Sequence, residues 1–550
     1  MTTPIFQLGD EYVTRLAALD PVWASFRGVS GRHCGGTDFG PDGYAAQRDL
    51  IRETLRRLDR LTPAGDTDRR AAGHLRERLR AQLDWHDTGE WMRDLAGSFG
   101  RLQTIRDSVD LVGHDDEEGW GLVVDRLASV PAMVASWRTA LALGLERGLP
   151  AARRQALETA AQADTYAAGT HDGLAAAYAA GPLLGPLRDA AAAAHSAYAQ
   201  TAEYLRREYA ARAAEADAVG PERHRVFRRL SLGADLDPVE AYEWGWAELH
   251  RLEAEMAAEA ASITPGASLD EVEHALHEAY SVHGADAYRA WLQHEHDVAI
   301  ARLDRVHFDI DPALHRIEVV LSPAAHSFGV YYTGPSEDGR RPGRTWWSVS
   351  GRERFAVWEE LTTVFHEGVP GHHLQIGQTR LAGDRLPRFN RLSGVPGHSE
   401  GWALYAERLA DELGWYERPG TRLGMLAASA LRAARVVIDI GLHLDRALPA
   451  AEAGRHGPRW TFEVAEAVLR DRGRAAGHRV HSEIVRYCGW PAQATAYKLG
   501  ERAWLAARAD ARARLGGRFD LRRWHRDALA LGPLGLATFA DEMRAATVSP

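Results

Sequence analysis

Residues 365–375, which read FHEGVPGHHLQ, constrain the fold most because they combine metal-ligand residue types with residues that interrupt helices. A His-Glu pair followed by a second His is typical of zinc hydrolases, in which both His bind one ion and the Glu acts as general base. In the common motif the second His comes one helical turn after the first, whereas His372 follows His366 by six residues. On an unbroken helix this spacing would turn the two rings about 120° apart.

Three residues in the gap indicate how the helix could bring both rings together. Pro370 lacks the N–H that would bond to the carbonyl of His366, so the helical ladder opens there. Gly368 and Gly371 allow backbone angles that other residues resist. We therefore expect a local bulge in the helix that returns His372 to the His366 face.

His373 is the rival second ligand, because a residue seven positions after His366 lies on nearly the same helix face. It would lie about 10 Å further along the axis, which is far for two ligands of one zinc ion. Catalytic zinc needs a third protein ligand and an open position for water. Glu400, in a predicted second helix over residues 399–414, is the best candidate. The pattern therefore favours His366, His372 and Glu400 as a Zn²⁺ site.

Four segments of the chain together resemble a known family. They are residues 365–375, 400–407, 437–443 and 486–501. The resemblance is to the bacterial "domain of unknown function 885" family, whose pattern is His-Glu-x-x-Pro-Gly-His and which is grouped with gluzincin (thermolysin-like and neurolysin-like) zinc metallopeptidases. It implies a large helical body that encloses a deep cleft. Ala492 stands where the family usually has Gly, a departure that concerns the local turn.

Helical periodicity dominates the rest of the chain. Apolar residues recur at helical spacing through residues 44–213, and the Ala-rich segments 190–194 and 210–216 favour helix. Strand patterns precede the proposed metal helix at residues 316–321, 329–332 and 345–350. The third strand could bind extended substrate by strand addition, or could belong to a purely structural sheet. We therefore predict a mainly α fold with a small β-sheet beside the metal helix.

A Gly-Pro step marks a nominal boundary between an N-terminal helical region, residues 1–220, and a catalytic metallohydrolase region, residues 221–550. The net charge of −10 gives no electrostatic basis for nucleic-acid binding. No signal peptide and no run of about 20 apolar residues is present, so we expect no membrane partner. Two cysteines, Cys34 and Cys488, imply no disulfide framework. The expected location is the cytoplasm.

Further residues are candidates for supporting roles. Glu367 is the predicted general base. Tyr487, Tyr497 and Lys498, the only lysine of the chain, are candidate donors to a developing oxyanion. Helix packing alone would equally explain the two tyrosines, and chance the lysine.

Two other polar groups have competing interpretations. Asp439 and His443 lie one helical turn apart and could orient a ligand imidazole, or could be a local helix pair. The run at residues 294–297, His-Glu-His-Asp, resembles a metal site, but adjacent helical residues point to different faces, so we expect a solvated helix surface.

The predicted reaction is zinc-dependent hydrolysis of an amide bond, most simply in a peptide substrate. Zn²⁺ held by the three ligands would lower the pKa of its water, and Glu367 would take the proton. Two alternatives remain open: hydrolysis of a small non-peptide amide in specialised metabolism, and a non-catalytic metal-binding protein. The intact Glu beside His366 argues against the second, because a purely structural zinc site has no need of a base.

Overall fold

A computed structural model describes residues 3–31, 33, 35–114, 116–322, 330–337, 339, 341–349 and 351–546. Helices account for 70% of the structure and strands for 5%, which confirms a mainly α fold with small sheets. The α-helices are α1 Pro4–Leu19, α2 Pro21–Arg27, α3 Pro41–Leu58, α4 Asp66–Asp87, α5 Arg101–Asp110, α6 Glu117–Glu146, α7 Arg153–Ala167, α8 Asp172–Tyr178, α9 Leu184–Tyr204, α10 Gly220–Leu232, α11 Pro238–Ile263, α12 Leu269–Ala279, α13 Ala285–Leu303, α14 Val357–Glu367, α15 His372–Arg380, α16 Arg388–Leu392, α17 Pro396–Glu412, α18 Thr421–His443, α19 Ala450–His456, α20 Phe462–Asp471, α21 Gly477–Gly489, α22 Ala496–Leu515, α23 Leu521–Ala530 and α24 Leu536–Ala546. The β-strands are β1 Ser281–His283, β2 Ile317–Ser322, β3 Val330–Thr333, β4 Gly343–Ser348 and β5 Arg354–Ala356. In the part of the chain that is described, no helix has the length and apolar content needed to cross a bilayer.

The chain forms two compact units, each assembled from segments that are distant in sequence. The first unit combines residues 1–227, 387–392 and 482–491, and the second combines residues 228–386, 393–481 and 492–550. The assignment of a helical role to residues 1–220 and a catalytic role to residues 221–550 stays a prediction. Of the two cysteines, Cys488 is buried, and Cys34 lies outside the described residues.

Two apolar clusters form the core of the first unit. One lies among α6, α7 and α9, where Trp137 and Tyr198 are fully buried. The other joins α1, α3, α4 and α16. Residues 190–194 lie in α9, as predicted. The prediction of a helix at residues 210–216 is wrong, because α9 ends in a short π-helical turn at Leu205–Tyr209 and the chain is not helical from there to residue 216.

A three-stranded sheet lies in the second unit, with strand order β2-β4-β3. Strand β4 pairs in parallel with β2 and antiparallel with β3, so both of its edges are occupied. Of the two interpretations left open for residues 345–350, the structure favours the structural sheet over strand addition, because residues 345–348 belong to the central strand. The predicted strand ends Gly329 and Ser350 lie outside the described residues.

Helices α13 and α14 pack with this sheet. Tyr288 and Leu292 of α13, Val364 of α14 and Trp347 of β4 share one buried cluster. Side chains in β4 alternate between buried and partly exposed, so Trp347 faces this core. The packing fixes α14, which carries the His-Glu pair, against a rigid surface.

The run at residues 294–297 is a solvated surface only in part. His294 and Asp297 are exposed, but Glu295 and His296 are buried. Glu295 binds the guanidinium of Arg418 through two bonds of 2.8 Å. The solvated interpretation is therefore wrong for the two central residues, because adjacent helical positions point to different surroundings.

Candidate metal centre

The two predicted His ligands lie on separate helices. Helix α14 ends at Glu367, and α15 begins at His372. The backbone N–H of Gly371 bonds to the carbonyl of Phe365 at 3.0 Å, and that of His373 bonds to the carbonyl of Gly368 at 3.0 Å. The prediction of a bulge within one helix is therefore wrong. The chain forms a short loop at residues 368–371 and then starts a new helix.

The close winding of this loop explains both glycines. A Cβ atom on Gly371 would lie 2.0 Å from the carbonyl oxygen of His366, and one on Gly368 would lie 2.3 Å from Nδ1 of His296. Contacts this short force a shift in backbone or ring, so a side chain at either position would open the loop. The loop, rather than helix periodicity, brings His372 back towards His366.

Three potential ligand atoms converge at this point. Nε2 of His366 lies 3.4 Å from Oε2 of Glu400, and Nε2 of His372 lies 3.5 Å from the same oxygen. One ligand atom from each of the three residues lies within 4.8 Å of the others. The two rings are nearly perpendicular, with centroids 4.8 Å apart.

These distances fit a single zinc ion. With ligand bonds of about 2.0–2.2 Å, two ligands of a tetrahedral zinc stand about 3.3–3.6 Å apart. Both His–Glu separations fall in that range. Two imidazoles and one carboxylate form the donor set of catalytic zinc sites, which leave the fourth position open.

Glu407 holds the other nitrogen of His366. Nδ1 of His366 donates to Oε1 of Glu407 at 2.7 Å, and the hydroxyl of Thr362 donates to Oε2 at 2.5 Å. The hydroxyl of Tyr416 in turn donates to Thr362 at 3.1 Å. A carboxylate in this position fixes the tautomer and orientation of a ligand imidazole and raises its basicity.

The electrostatics of the centre favour a cation. Burial disfavours the charge of His366, but the hydrogen bonds that its imidazole donates to Glu400 and Glu407 raise the pKa of this imidazole to about 10. Burial also opposes ionisation of Glu400, yet His372 and His366 hold the pKa of that carboxyl well below its ordinary value. The same carboxylates would attract a divalent cation placed between them.

Glu367 has the surroundings of a general base. Its side chain is buried, and its Oε2 has no hydrogen-bond partner among the residues that the structure describes. Burial raises the pKa of this carboxyl, while His366 and His372 act in the opposite direction. A raised pKa brings this carboxyl closer to the operating pH, where a general base is most effective.

His373 takes part in a different set of contacts. Its Nε2 donates to the carbonyl of Leu314 at 2.9 Å, and its Nδ1 accepts from the hydroxyl of Tyr332 at 2.9 Å. Both ring nitrogens are thus occupied, and the ring is fully buried. His372, whose Nδ1 has no partner among the described residues, is the imidazole that faces Glu400.

Lys498 lies in a buried ion cluster of the second unit. Its ammonium binds Glu501 closely, lies 2.9 Å from Glu248 and donates to Ser429 at 3.1 Å. The lysine is 1% exposed. These partners account for its three donor hydrogens, which favours a structural role for Lys498.

The two candidate tyrosines lie in different units. In the first unit the hydroxyl of Tyr487 donates to Glu483 at 2.5 Å. In the second unit the ring of Tyr497 lies under the guanidinium of Arg435, 4.8 Å from its centroid, and its hydroxyl accepts a long bond of 3.5 Å from Gln493. Their oxyanion role stays a prediction.

Asp439 binds the turn within the late block, residues 486–501. Its Oδ2 accepts the backbone N–H of Ala492 at 2.9 Å. Ala492 has a φ of 62°, in the left-handed region that favours glycine, which explains the glycine usual in the family. The carboxylate that orients His366 is Glu407, whereas the sequence left an orienting role for Asp439 and His443 open beside a local helix pair. The signal for Glu407 was its position seven residues after Glu400, on the same face of α17.

The fold and the centre define a mainly helical protein with a candidate His-His-Glu metal site. The family of bacterial proteins of unknown function, DUF885, matches residues 21–543, so the chain belongs to this family. No curated protein matches the sequence.

Two solved structures share the fold. One is a protein from Colwellia psychrerythraea, provisionally described as a lipoprotein, with 20% identity, a TM-score of 0.82, and 99% of this chain and 98% of that chain covered. The other, from Shewanella oneidensis, is provisionally described as a lipoprotein of unknown function, with 15% identity, a TM-score of 0.73, and 98% and 100% covered. At these identities the likeness establishes the fold alone.

Proposed function

We propose that this protein is a zinc-dependent hydrolase that cleaves amide bonds, with peptides as its substrates. The observation that carries the proposal is the convergence of His366, His372 and Glu400 at separations of 3.4 and 3.5 Å, beside the buried carboxylate of Glu367. A structural site would fill its fourth position with a protein ligand and would not need beside it a buried carboxylate with one oxygen that has no hydrogen-bond partner among the described residues.

His366, His372 and Glu400 would hold the zinc ion. When bound, zinc would supply Lewis-acid activation of water and of a substrate carbonyl. The carboxylate of Glu367 would accept a proton from the attacking water and deliver it to the leaving nitrogen. Glu407 would keep Nδ1 of His366 protonated, so that Nε2 presents its lone pair to the ion.

The donor for the oxyanion is best sought in the tyrosines. The charge of Lys498 is taken up by two carboxylates, which weakens it as a donor to substrate. The hydroxyl hydrogen of Tyr497 is not used in its contact with Gln493, where the phenol accepts, and a phenol can stabilise an oxyanion. We include Tyr487 as the second candidate, because the late block of the resembled family contains both.

The assignment to peptides rests on the resemblance to gluzincin metallopeptidases. The supporting feature is the order of ligands, with His-Glu and a second His close together and a Glu on a later helix. A cleft that admits peptides and a cytoplasmic location belong to this proposal too. The relatives that are provisionally described as lipoproteins make a membrane-attached location the competing expectation.

The proposal is tested by metal analysis together with Glu367→Gln. Purified protein should contain about one zinc per chain and hydrolyse members of a peptide library in a chelator-sensitive way. Glu367→Gln should keep the zinc and lose activity by about 100-fold or more, because general-base assistance contributes that much. Glu359→Gln is the matched control, since Glu359 lies on the same helix with a side chain 45% exposed.

Three results separate the candidate functions. Full activity in Glu367→Gln would reject the assigned base. Bound zinc with no chelator-sensitive hydrolysis of any amide would leave a metal-binding protein. Hydrolysis of small amides but of no peptide would favour the metabolic alternative.

A further inference from the structure

The loop between the two His ligands is tied to the helix of the third ligand by one side chain. The indole N–H of Trp402 on α17 donates to the carbonyl of Pro370 at 2.8 Å and to that of Gly371 at 3.2 Å. Gly371 is the residue directly before His372, and Trp402 comes two residues after Glu400. One bifurcated hydrogen bond thus spans the gap between the segments that carry two different ligands.

From this contact we infer that Trp402 is a positioning residue for the metal centre. The inference rests on the proposed function and extends it to a residue that does not touch the ion. The indole sets the separation between the start of α15, which presents His372, and α17, which presents Glu400. It thereby tunes affinity for the cation and the geometry of its coordination.

The surroundings of Trp402 make the tie rigid. The side chain is fully buried and packs against Tyr405, Trp504 and His525, with ring centroids 5.3, 4.8 and 5.8 Å away. A ring held on several sides has little freedom to follow a moving loop. The position of the indole therefore determines the position of the loop.

The backbone of the loop needs such an external partner. Gly371 precedes the first turn of α15, and no side chain caps that helix. The carbonyl of Gly371 accepts the first backbone bond of α15, from the N–H of Gln375 at 3.1 Å, whereas the carbonyl of Pro370 accepts no backbone N–H among the described residues. A buried carbonyl left without a donor is costly. Trp402 donates to both carbonyls and so stabilises the loop in the form that turns His372 towards Glu400.

The position of Glu400 depends on the same bond. Glu400 and Trp402 project about 200° apart around α17, so a tie at Trp402 also restrains the rotation of the helix that aims Glu400. About 100° around the helix from each of these residues, α17 meets α22 at backbone distance, since a Cβ on Gly401 would lie 2.3 Å from the carbonyl carbon of Gly500. The helix is therefore held between a close crossing and the indole.

The test compares the zinc affinity of Trp402→Phe with that of the wild-type protein. Phenylalanine keeps an aromatic ring and removes the N–H, and we expect zinc to bind about tenfold more weakly, as when outer partners of a metal site are removed. The Co²⁺ form should show an altered visible absorption spectrum, because the ligand geometry changes. Affinity is measured by competition with a chromogenic chelator, at a temperature where circular dichroism shows the protein to be folded.

Trp137→Phe is the matched control. Trp137 is also fully buried, and its indole donates to the carbonyl of Asp94 at 3.0 Å in the first unit. This variant loses the same type of bond and should lose stability while keeping zinc affinity and the Co²⁺ spectrum. A purely structural role for Trp402 would give the same result at position 402, and would overturn the inference.

A second variant covers the case in which Trp402→Phe fails to fold. Replacing Trp402 by 3-benzothienylalanine, which has the shape of tryptophan but no N–H, should fold and show the same loss of affinity. Wild-type affinity in this variant would overturn the inference. If the wild-type protein itself bound neither Zn²⁺ nor Co²⁺, the proposed metal site would fail, and the two failures are therefore distinguishable.

Discussion

Glu407 provides the sharpest test of the metal centre, because its side chain contacts a ligand and not the ion. Its carboxylate accepts from Nδ1 of His366 at 2.7 Å and from Thr362 at 2.5 Å. Glu407→Gln preserves the shape, and the amide oxygen can still accept from Nδ1. The hydroxyl of Thr362 can rotate and accept from the new amide group. The substitution therefore removes the charge, which also faces the guanidinium of Arg432 at 4.0 Å, and leaves the other contacts in place.

The expected loss follows from the type of bond. A hydrogen bond to a charged group contributes about 1.5–3 kcal/mol, and a neutral one about 0.5–1.5 kcal/mol. The difference, about 1–1.5 kcal/mol, corresponds to roughly tenfold in zinc affinity. Glu407→Ala also leaves the His366 and Thr362 donors without their acceptor, so we expect a loss near 100-fold.

Zinc dissociation constants from chelator competition at pH 7.5 measure the effect. Glu412→Gln is the control on the same helix, since Glu412 is 41% exposed and pairs with Arg508 at the surface. We expect the order wild type and Glu412→Gln, then Glu407→Gln, then Glu407→Ala, from tightest to weakest. Zinc binding by both Glu407 variants within threefold of wild type would refute the view that this carboxylate orients His366.

Two further predictions concern stability. Ala492→Gly should raise the free energy of unfolding by about 1 kcal/mol, since a non-glycine residue at a φ of 62° costs about 1–2 kcal/mol and glycine returns part of this as chain entropy; a lower urea midpoint would contradict this. Stability should also fall as the pH drops below about 6.5, because burial lowers the pKa of His525 and of His171 to about 3. The unfolded chain takes up these protons while the folded chain does not, a cost of about 2 kcal/mol per histidine at pH 5. Urea unfolding at pH 7 and pH 5 measures it, and a smaller pH dependence in His525→Gln would identify one source; equal stability at both pH values would contradict the prediction.

The ligand residues could be proposed from the sequence because zinc chemistry limits the choice of side chains. Two imidazoles, a neighbouring carboxylate and a later Glu are few enough to be recognised by type and order. The local backbone was harder to predict. Pro370 and two glycines indicate an interruption, but an interruption permits either a bulge or a new helix. The structure has the new helix, and its loop is closed by hydrogen bonds that no spacing rule specifies.

Partners of the ligands depend on tertiary structure, and the sequence pattern alone left them open. Asp439 looked suitable because it lies one turn from His443, yet it binds the backbone of Ala492. Tertiary contacts also explain why the helix propensity of the Ala-rich residues 210–216 gave a wrong prediction. There the backbone of Ala214 bonds to Ala151 and Arg153 at 3.0 and 2.7 Å, and these long-range bonds replace the helical ladder.

Helix α17 explains why the centre tolerates a broken ligand helix. Glu400 and Glu407 lie seven residues apart, so they share one face and stand about 10.5 Å apart along the axis. One carboxylate meets Nε2 of His366 at 3.4 Å, and the other meets Nδ1 of the same ring at 2.7 Å. A shift of α17 along its axis would lengthen one of these contacts as it shortened the other. The ring of His366 therefore holds the register of α17, and α17, through Trp402, holds the loop that returns His372 to the site.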